Sequence, residues 1–90
     1  MIIKNIYYGK AFIKRLKSLP PEVIKTVLEK EKLFRMNPLH SSFRLNQLYS
    51  TLRGAWSISI SSNYRIIFER QANGDILFAS IGRYDLYKNW

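Results

Sequence analysis

The stretch Gly54–Glu69, GAWSISISSNYRIIFE, decides how this chain folds. Trp56, Ile58 and Ile60 alternate with Ser57, Ser59 and Ser61, the period of a half-buried strand. A second strand opens at Tyr64 and carries Arg65 among Ile66, Ile67 and Phe68. The loop between them sets which residues share a face. Two loop residues, Ser62 and Asn63, would oppose Ile60 to Arg65 and mix core with charge. Three, Ser61 to Asn63, oppose Ile60 to Tyr64, Ile58 to Ile66 and Trp56 to Phe68, and sort the apolar side chains onto one face. The longer loop is therefore expected, with Asn63 in the left-handed conformation that such loops use and asparagine tolerates. Ser57, Ser59 and Arg65 then share the opposite face.

Downstream, Asn73-Gly74 is a strong hairpin signal. A two-residue loop pairs Ala72 with Asp75 and carries the ladder to Phe68 opposite Ala79, Ile66 opposite Ile81 and Arg65 opposite Gly82. On that register Leu77, Ala79 and Ile81 join the apolar face, while Phe78 and Ser80 join Arg65. Upstream, MIIKNIYY reads as a first strand. GKAFIKRLKSL reads as a short amphipathic helix with Phe12, Leu16 and Leu19 inward. Pro21 suits the first position of a second helix, which runs to about Met36 with Ile24, Val27, Leu28 and Phe34 inward. NPLHSS ends it, because a residue before proline is pushed out of helical conformation. FRLNQL is a short strand or an extended linker. The expected fold class is α+β: an N-terminal strand, a two-helix hairpin, an antiparallel sheet of about four strands and a short C-terminal element.

Ninety residues make one domain, 1–90, and 47% hydrophobic residues supply a single core. The chain has no cysteine, which excludes disulfides and thiolate metal sites, and its single histidine argues against a protein-only zinc site. No apolar run approaches the ~20 residues that span a bilayer, and the N-terminus has no signal-like apolar core, so a cytoplasmic location is expected. The formal net charge is +9, which favours polyanionic partners, although a solvated basic helix face would show the same excess. Residues 1–45 are rich in lysine, whereas the cations of residues 46–90 are arginines apart from Lys88. Arginine's planar fork suits bidentate phosphate contacts.

The third strand of the sheet ends beside Arg65 and delivers Arg83 and Tyr84, so these side chains and the serines are expected on one surface. The terminal GRYDLYKNW interleaves Arg83 and Lys88 with Tyr84, Tyr87 and Trp90, a pattern suited to neutralising phosphates and stacking splayed bases. Other readings stand beside this one. Arg65 can bridge Glu69 or discourage sheet stacking, Tyr87 and Trp90 can simply cover the sheet, and His40 reads as a loop residue. The sequence holds no P-loop, dinucleotide fingerprint, carboxylate pair or nucleophile–His–acid order.

Three segments, in order, resemble the RelE/ParE superfamily of type II toxins (the RelE, YafQ and YoeB branch of mRNA interferases). FIKRLKSLPPEVIKTVLEKEKLFRMNP is similar to its helical hairpin, LRGAWSISISSNYRIIFE to its two central strands, and GDILFASIGRYDLYK to its last strand and ending. The resemblance implies a β-α-α-β-β-β fold and an endoribonuclease that cuts translated mRNA on the 70S ribosome. The ribose 2′-hydroxyl attacks the adjacent phosphate, with no metal or other cofactor, and a cognate antitoxin protein neutralises the toxin. It implies catalytic roles for Arg65, Arg83 and Tyr84, and RNA contacts from Arg53, Ser57, Ser59, Tyr87, Lys88 and Trp90. RelE carries lysines where Ser57 and Ser59 stand, and other branches carry a histidine where Tyr84 stands. Two alternatives follow from the same likeness: a ParE-like inhibitor of DNA gyrase, and a degenerate module that only binds RNA or antitoxin.

Overall fold

The alternation in Gly54–Glu69 becomes the middle of a five-stranded sheet. The computed structural model describes residues 2–48 and 54–83. Their elements run β1 (Ile6–Tyr8), α1 (Lys10–Lys17), α2 (Pro21–Met36), a 3-10 turn (Ser41–Phe43), β2 (Asn46–Leu48), β3 (Ala55–Ser59), β4 (Tyr64–Arg70) and β5 (Ile76–Arg83). The strand order is β1-β5-β4-β3-β2. The α+β class is as expected, with two adjustments: the last three residues of FRLNQL, Asn46–Leu48, form a strand, β2, against β3, and β1 runs parallel to β5, so the sheet is mixed. β1 and β2 lie on opposite edges, and the helical hairpin carries the chain between them. The C-terminal element lies outside the described residues. No described helix is long and apolar enough to cross a membrane.

The β3–β4 register is the expected one, with Ile58 opposite Ile66, Trp56 opposite Phe68 and Ser59 opposite Arg65. The loop reaches it differently. Asn63 is not left-handed; Arg44 is the one described non-glycine residue with positive φ. Instead the N–H groups of Ile60 and Ser61 both donate to the Tyr64 carbonyl, at 2.9 and 3.4 Å, and Ser61 Oγ accepts the Asn63 N–H at 3.2 Å. A serine hydroxyl thus satisfies the turn locally, so the backbone needs no left-handed residue.

The β4–β5 hairpin departs from expectation twice, and the departures cancel. Gln71 N–H donates to Asp75 O and Gly74 N–H to Gln71 O, so the loop is Ala72–Gly74, three residues rather than two, with Gly74 at φ +93°. This shifts the pairing by one, so Phe68 opposes Phe78, not Ala79. A β-bulge then restores the register, and Ile66 opposes Ile81 and Arg65 opposes Gly82 as expected. The result turns Ile76 and Phe78 into the core, at 1% and 0% exposure, where the sequence reading had Leu77 and Ala79. The bulge lets the larger apolar side chains be buried.

The helices cover this face. Gly9 starts α1 against β5, its N–H donating to Phe78 O at 2.9 Å, and a Cβ at Gly9 would stand 3.3 Å from that same oxygen. Phe12 is α1's buried residue. α2 packs through Val23, Val27 and Phe34, while Leu28, expected inward, is 51% exposed. All five phenylalanines are buried, and Phe34 lies 5.3–6.0 Å, ring to ring, from Phe43, Phe68 and Phe78.

Candidate functional site

Arg65 stands on β4, the central strand, with Ser59 across from it on β3 and Gly82 on β5. Its Nη1 donates to Ser57 Oγ at 2.7 Å and its Nη2 to Ser59 Oγ at 3.2 Å. The period-two serines are therefore the acceptors that aim the guanidinium. Glu69, the alternative partner, is exposed and four residues along the strand, about 13 Å at the usual strand rise. Ser57 is 1% exposed, so it holds Arg65 from below and presents no surface to a ligand, contrary to its expected role as an RNA contact. Ser59 is half-buried and reaches the surface.

That surface is an open basin of about 560 Å³. Among the described residues three cations, Lys30, Arg44 and Arg65, line it with Ser41, Ser42, Ser59, Ser61, Ser62 and Ile60, and no carboxylate does. Lys30 and Arg44 are not among the residues expected at the site, although the sequence carries a signal for Lys30. Positions 23, 27, 30 and 34 share one helix face, and the other three are Val23, Val27 and Phe34. A lysine among them is half-buried, with its stem along the core edge and its amine directed outward. Lys30 Nζ lies 5.8 Å from the Phe43 ring centre and donates to Ser42 Oγ at 3.3 Å.

The rim is organised by His40, which caps the 3-10 turn. Ser42 N–H donates to His40 Nδ1 at 3.1 Å, and an amide can only donate, so Nδ1 is bare and the neutral ring carries its proton on Nε2. Ser42 Oγ, 2.8 Å from the same Nδ1, must then donate to it and accept from Lys30. Arg44 closes the turn in a left-handed conformation, φ 45° and ψ 51°, at a cost of about 1–2 kcal/mol for a side-chain-bearing residue.

Arg83 does not join Arg65. It pairs with Tyr64, and opposed residues share a face, so its position belongs to the side of Tyr64 and Ile66. Contrary to the expectation that β5 delivers it beside Arg65, the strand alternates past Gly82, the residue opposite Arg65, so Arg83 follows on the other face. Arg53, Tyr84, Tyr87, Lys88 and Trp90 lie outside the described residues. Among the described residues no cluster of three His, Cys, Asp or Glu side chains could hold a metal ion.

A mixed sheet in this order, covered on one face by a helical hairpin, is the RelE-like fold. The chain superimposes on YafQ from E. coli with a TM-score of 0.75 at 17% identity, over 91% of this chain and 94% of that one. An archaeal RelE–RelB complex from Pyrococcus horikoshii gives 0.69 at 20% identity, over 92% and 96% of the two chains. A YoeB–YefM complex from Staphylococcus aureus gives 0.69 at 21%, over 91% and 97%. No family model matches the sequence, and no curated protein matches it. At such identities the likeness establishes the fold.

Proposed function

We propose that this chain is the toxin of a type II toxin–antitoxin pair, a cytoplasmic endoribonuclease that cuts mRNA while it is translated. The observation that carries this reading is Arg65, fixed by two serine hydroxyls at the edge of a basin that, among the described residues, is lined by cations and no carboxylate. A guanidinium so held is preorganised to take the charge that grows on a phosphate as its phosphorus becomes five-coordinate. In the proposed reaction the ribose 2′-hydroxyl loses its proton and its oxygen bonds to the adjacent phosphorus. The bond to the 5′-oxygen breaks, that oxygen gains a proton, and a 2′,3′-cyclic phosphate and a 5′-hydroxyl remain. Arg65 contributes charge, and Tyr84 is assigned proton transfer. The ribosome supplies alignment of the strand. The net charge of +9 suits both ribosomal RNA and an antitoxin that covers the basin. The solved RelE–RelB and YoeB–YefM complexes support an antitoxin of this kind.

The test is to induce the protein and map 5′ ends on a translated reporter mRNA. Cuts in register with codons are expected, reduced by about 10²–10³-fold in Arg65→Ala, the usual effect of removing one preorganised donor. Intact mRNA together with inhibited DNA gyrase would replace this reading with the ParE-like one. Intact mRNA and normal growth would leave only a binding module.

A further inference from the structure

Arg65 occupies one part of the basin, and a second group of donors occupies another. Lys30 comes from α2 and Arg44 from the C-terminal end of the 3-10 turn, with Ser41 and Ser42 between them. We infer that Lys30 and Arg44 form a second phosphate seat, which holds the phosphate next along a single RNA strand from the one at Arg65. This rests on the RNA reading of the site.

Three features show that the seat is built. Lys30 takes a place on the inward stripe of α2 that an apolar residue would fill, so its amine is held at the rim. The Ser42 hydroxyl spends its proton on His40 Nδ1, so a lone pair faces Lys30 and fixes the direction of the ammonium. An ammonium has three donors, and Ser42 takes one. Arg44 holds an unfavourable backbone conformation in the wall of the basin, a pattern found where a side chain must be aimed.

The occupant follows from size and chemistry. The volume, about 560 Å³, is that of a ligand site rather than of one bound anion. A nucleic-acid strand presents charged oxygens at short fixed intervals, which suits cations anchored at fixed points on two elements. An acidic peptide would have to immobilise a flexible stem for each carboxylate. The basin is also continuous with Arg65, so a strand whose phosphate sits there must run past one of its neighbours.

The experiment measures binding of the full chain to a fluorescently labelled single-stranded RNA that is 2′-O-methylated throughout and so cannot be cut. Lys30→Gln and Arg44→Gly are compared with the wild type across a salt series. Glycine at 44 keeps the left-handed backbone and removes the guanidinium, and equal or higher Tm confirms that it folds. Each variant is expected to bind several-fold more weakly, and to reduce the slope of log affinity against log salt by about 0.7, one phosphate contact on a single strand. Lys14→Gln, on the exposed face of α1, is the control and should match the wild type. Unchanged affinity and slope in both variants would overturn the inference. So would a poly-glutamate peptide that competes as well as RNA and loses as much through the same two changes. Reporter cleavage with unaltered RNA binding by the variants removes the seat and leaves the nuclease standing. Intact reporter with weakened binding does the reverse.

Discussion

Arg65 shows how a charged residue is given one direction. Its two terminal nitrogens are taken by serines two residues apart on the adjoining strand, so guanidinium and sheet move together. Ser57 is the stronger of the two holds, being buried and 2.7 Å away. Ser57→Ala is expected to cost about 1–3 kcal/mol, because a hydrogen bond to a charged group is lost where water does not replace it, and a urea unfolding midpoint reads that loss. The same change should lower the cleavage rate while RNA affinity stays near that of the wild type, since Ser57 has no surface to offer RNA. Tyr8 gives a separate pH signature. Partial burial against Phe12 and Phe78, then its hydrogen bond to the Glu31 carboxylate, raise the phenol above its ordinary 10.0, while Arg35 opposes the shift. A raised folded-state value means the stabilisation is present in full below pH 10 and is lost as pH rises through the folded-state value. The stability difference between wild type and Tyr8→Phe should therefore be constant up to about pH 10 and shrink above it. What the sequence concealed at this scale was the placement of Lys30 at the basin. Lys30 reads as one more helix cation until its neighbours Val23, Val27 and Phe34 are seen to be inward. Nothing in the residues around Arg44 announces a left-handed backbone.

Among the elements, the two hairpins separate what patterning can decide from what it cannot. β3 and β4 have only one register that keeps Trp56, Ile58, Ile66 and Phe68 together, so their pairing is legible. β5 is ILFASIGR, apolar at each of its first four positions, and either alternation there buries a plausible set. Asn-Gly favours a two-residue loop, but Gly74 also supplies the left-handed residue that a three-residue loop needs. The longer one is held by Asn73, whose Oδ1 accepts the Asp75 N–H at 3.0 Å and whose Nδ2 donates to the Asp75 carboxylate at 3.0 Å. Asn5 donates to that carboxylate as well, at 3.2 Å, tying β1 to the turn. The bulge at Ala79 is the price of that loop, and it leaves Arg65 and Gly82 opposed whichever loop forms. The Arg65–Gly82 pairing is thus the same with either turn, while the alternation past Gly82 carries Arg83 to the other face. Gly74 carries the positive φ, with ordinary room for a Cβ beside Lys4. Gly74→Ala should therefore cost about 1 kcal/mol or more through backbone strain alone, seen as a lower thermal midpoint with cleavage unaffected.

For the molecule as a whole, core and charge pull in opposite directions. A domain of this length has a net stability of roughly 5–13 kcal/mol at the usual 0.05–0.15 per residue. Phe34 is the ring on which Phe43, Phe68 and Phe78 converge, joining α2 to the sheet and to the 3-10 turn that carries Lys30's partner. Phe34→Ala should remove about 3–5 kcal/mol, a large part of that total. For a domain this small that corresponds to a fall in Tm of very roughly 10–40 °C. The net charge of +9 opposes compaction through self-repulsion, which salt screens over a Debye length of about 10 Å at 0.1 M. Raising salt from about 0.05 M to about 0.5 M should accordingly raise Tm, and on the proposed function the same change should weaken RNA binding, because the cations that repel one another include those proposed to hold phosphate. The deficit of Phe34→Ala is apolar and should be nearly the same at both salt concentrations. In Lys30→Gln and Arg44→Gly the two salt responses should both flatten, since each removes a cation that contributes to the repulsion and to the phosphate contact. A salt series of Tm and RNA anisotropy on the same samples tests the linkage; a Tm that falls with salt in the wild type would show that attractive ion pairs, not repulsion, dominate this surface.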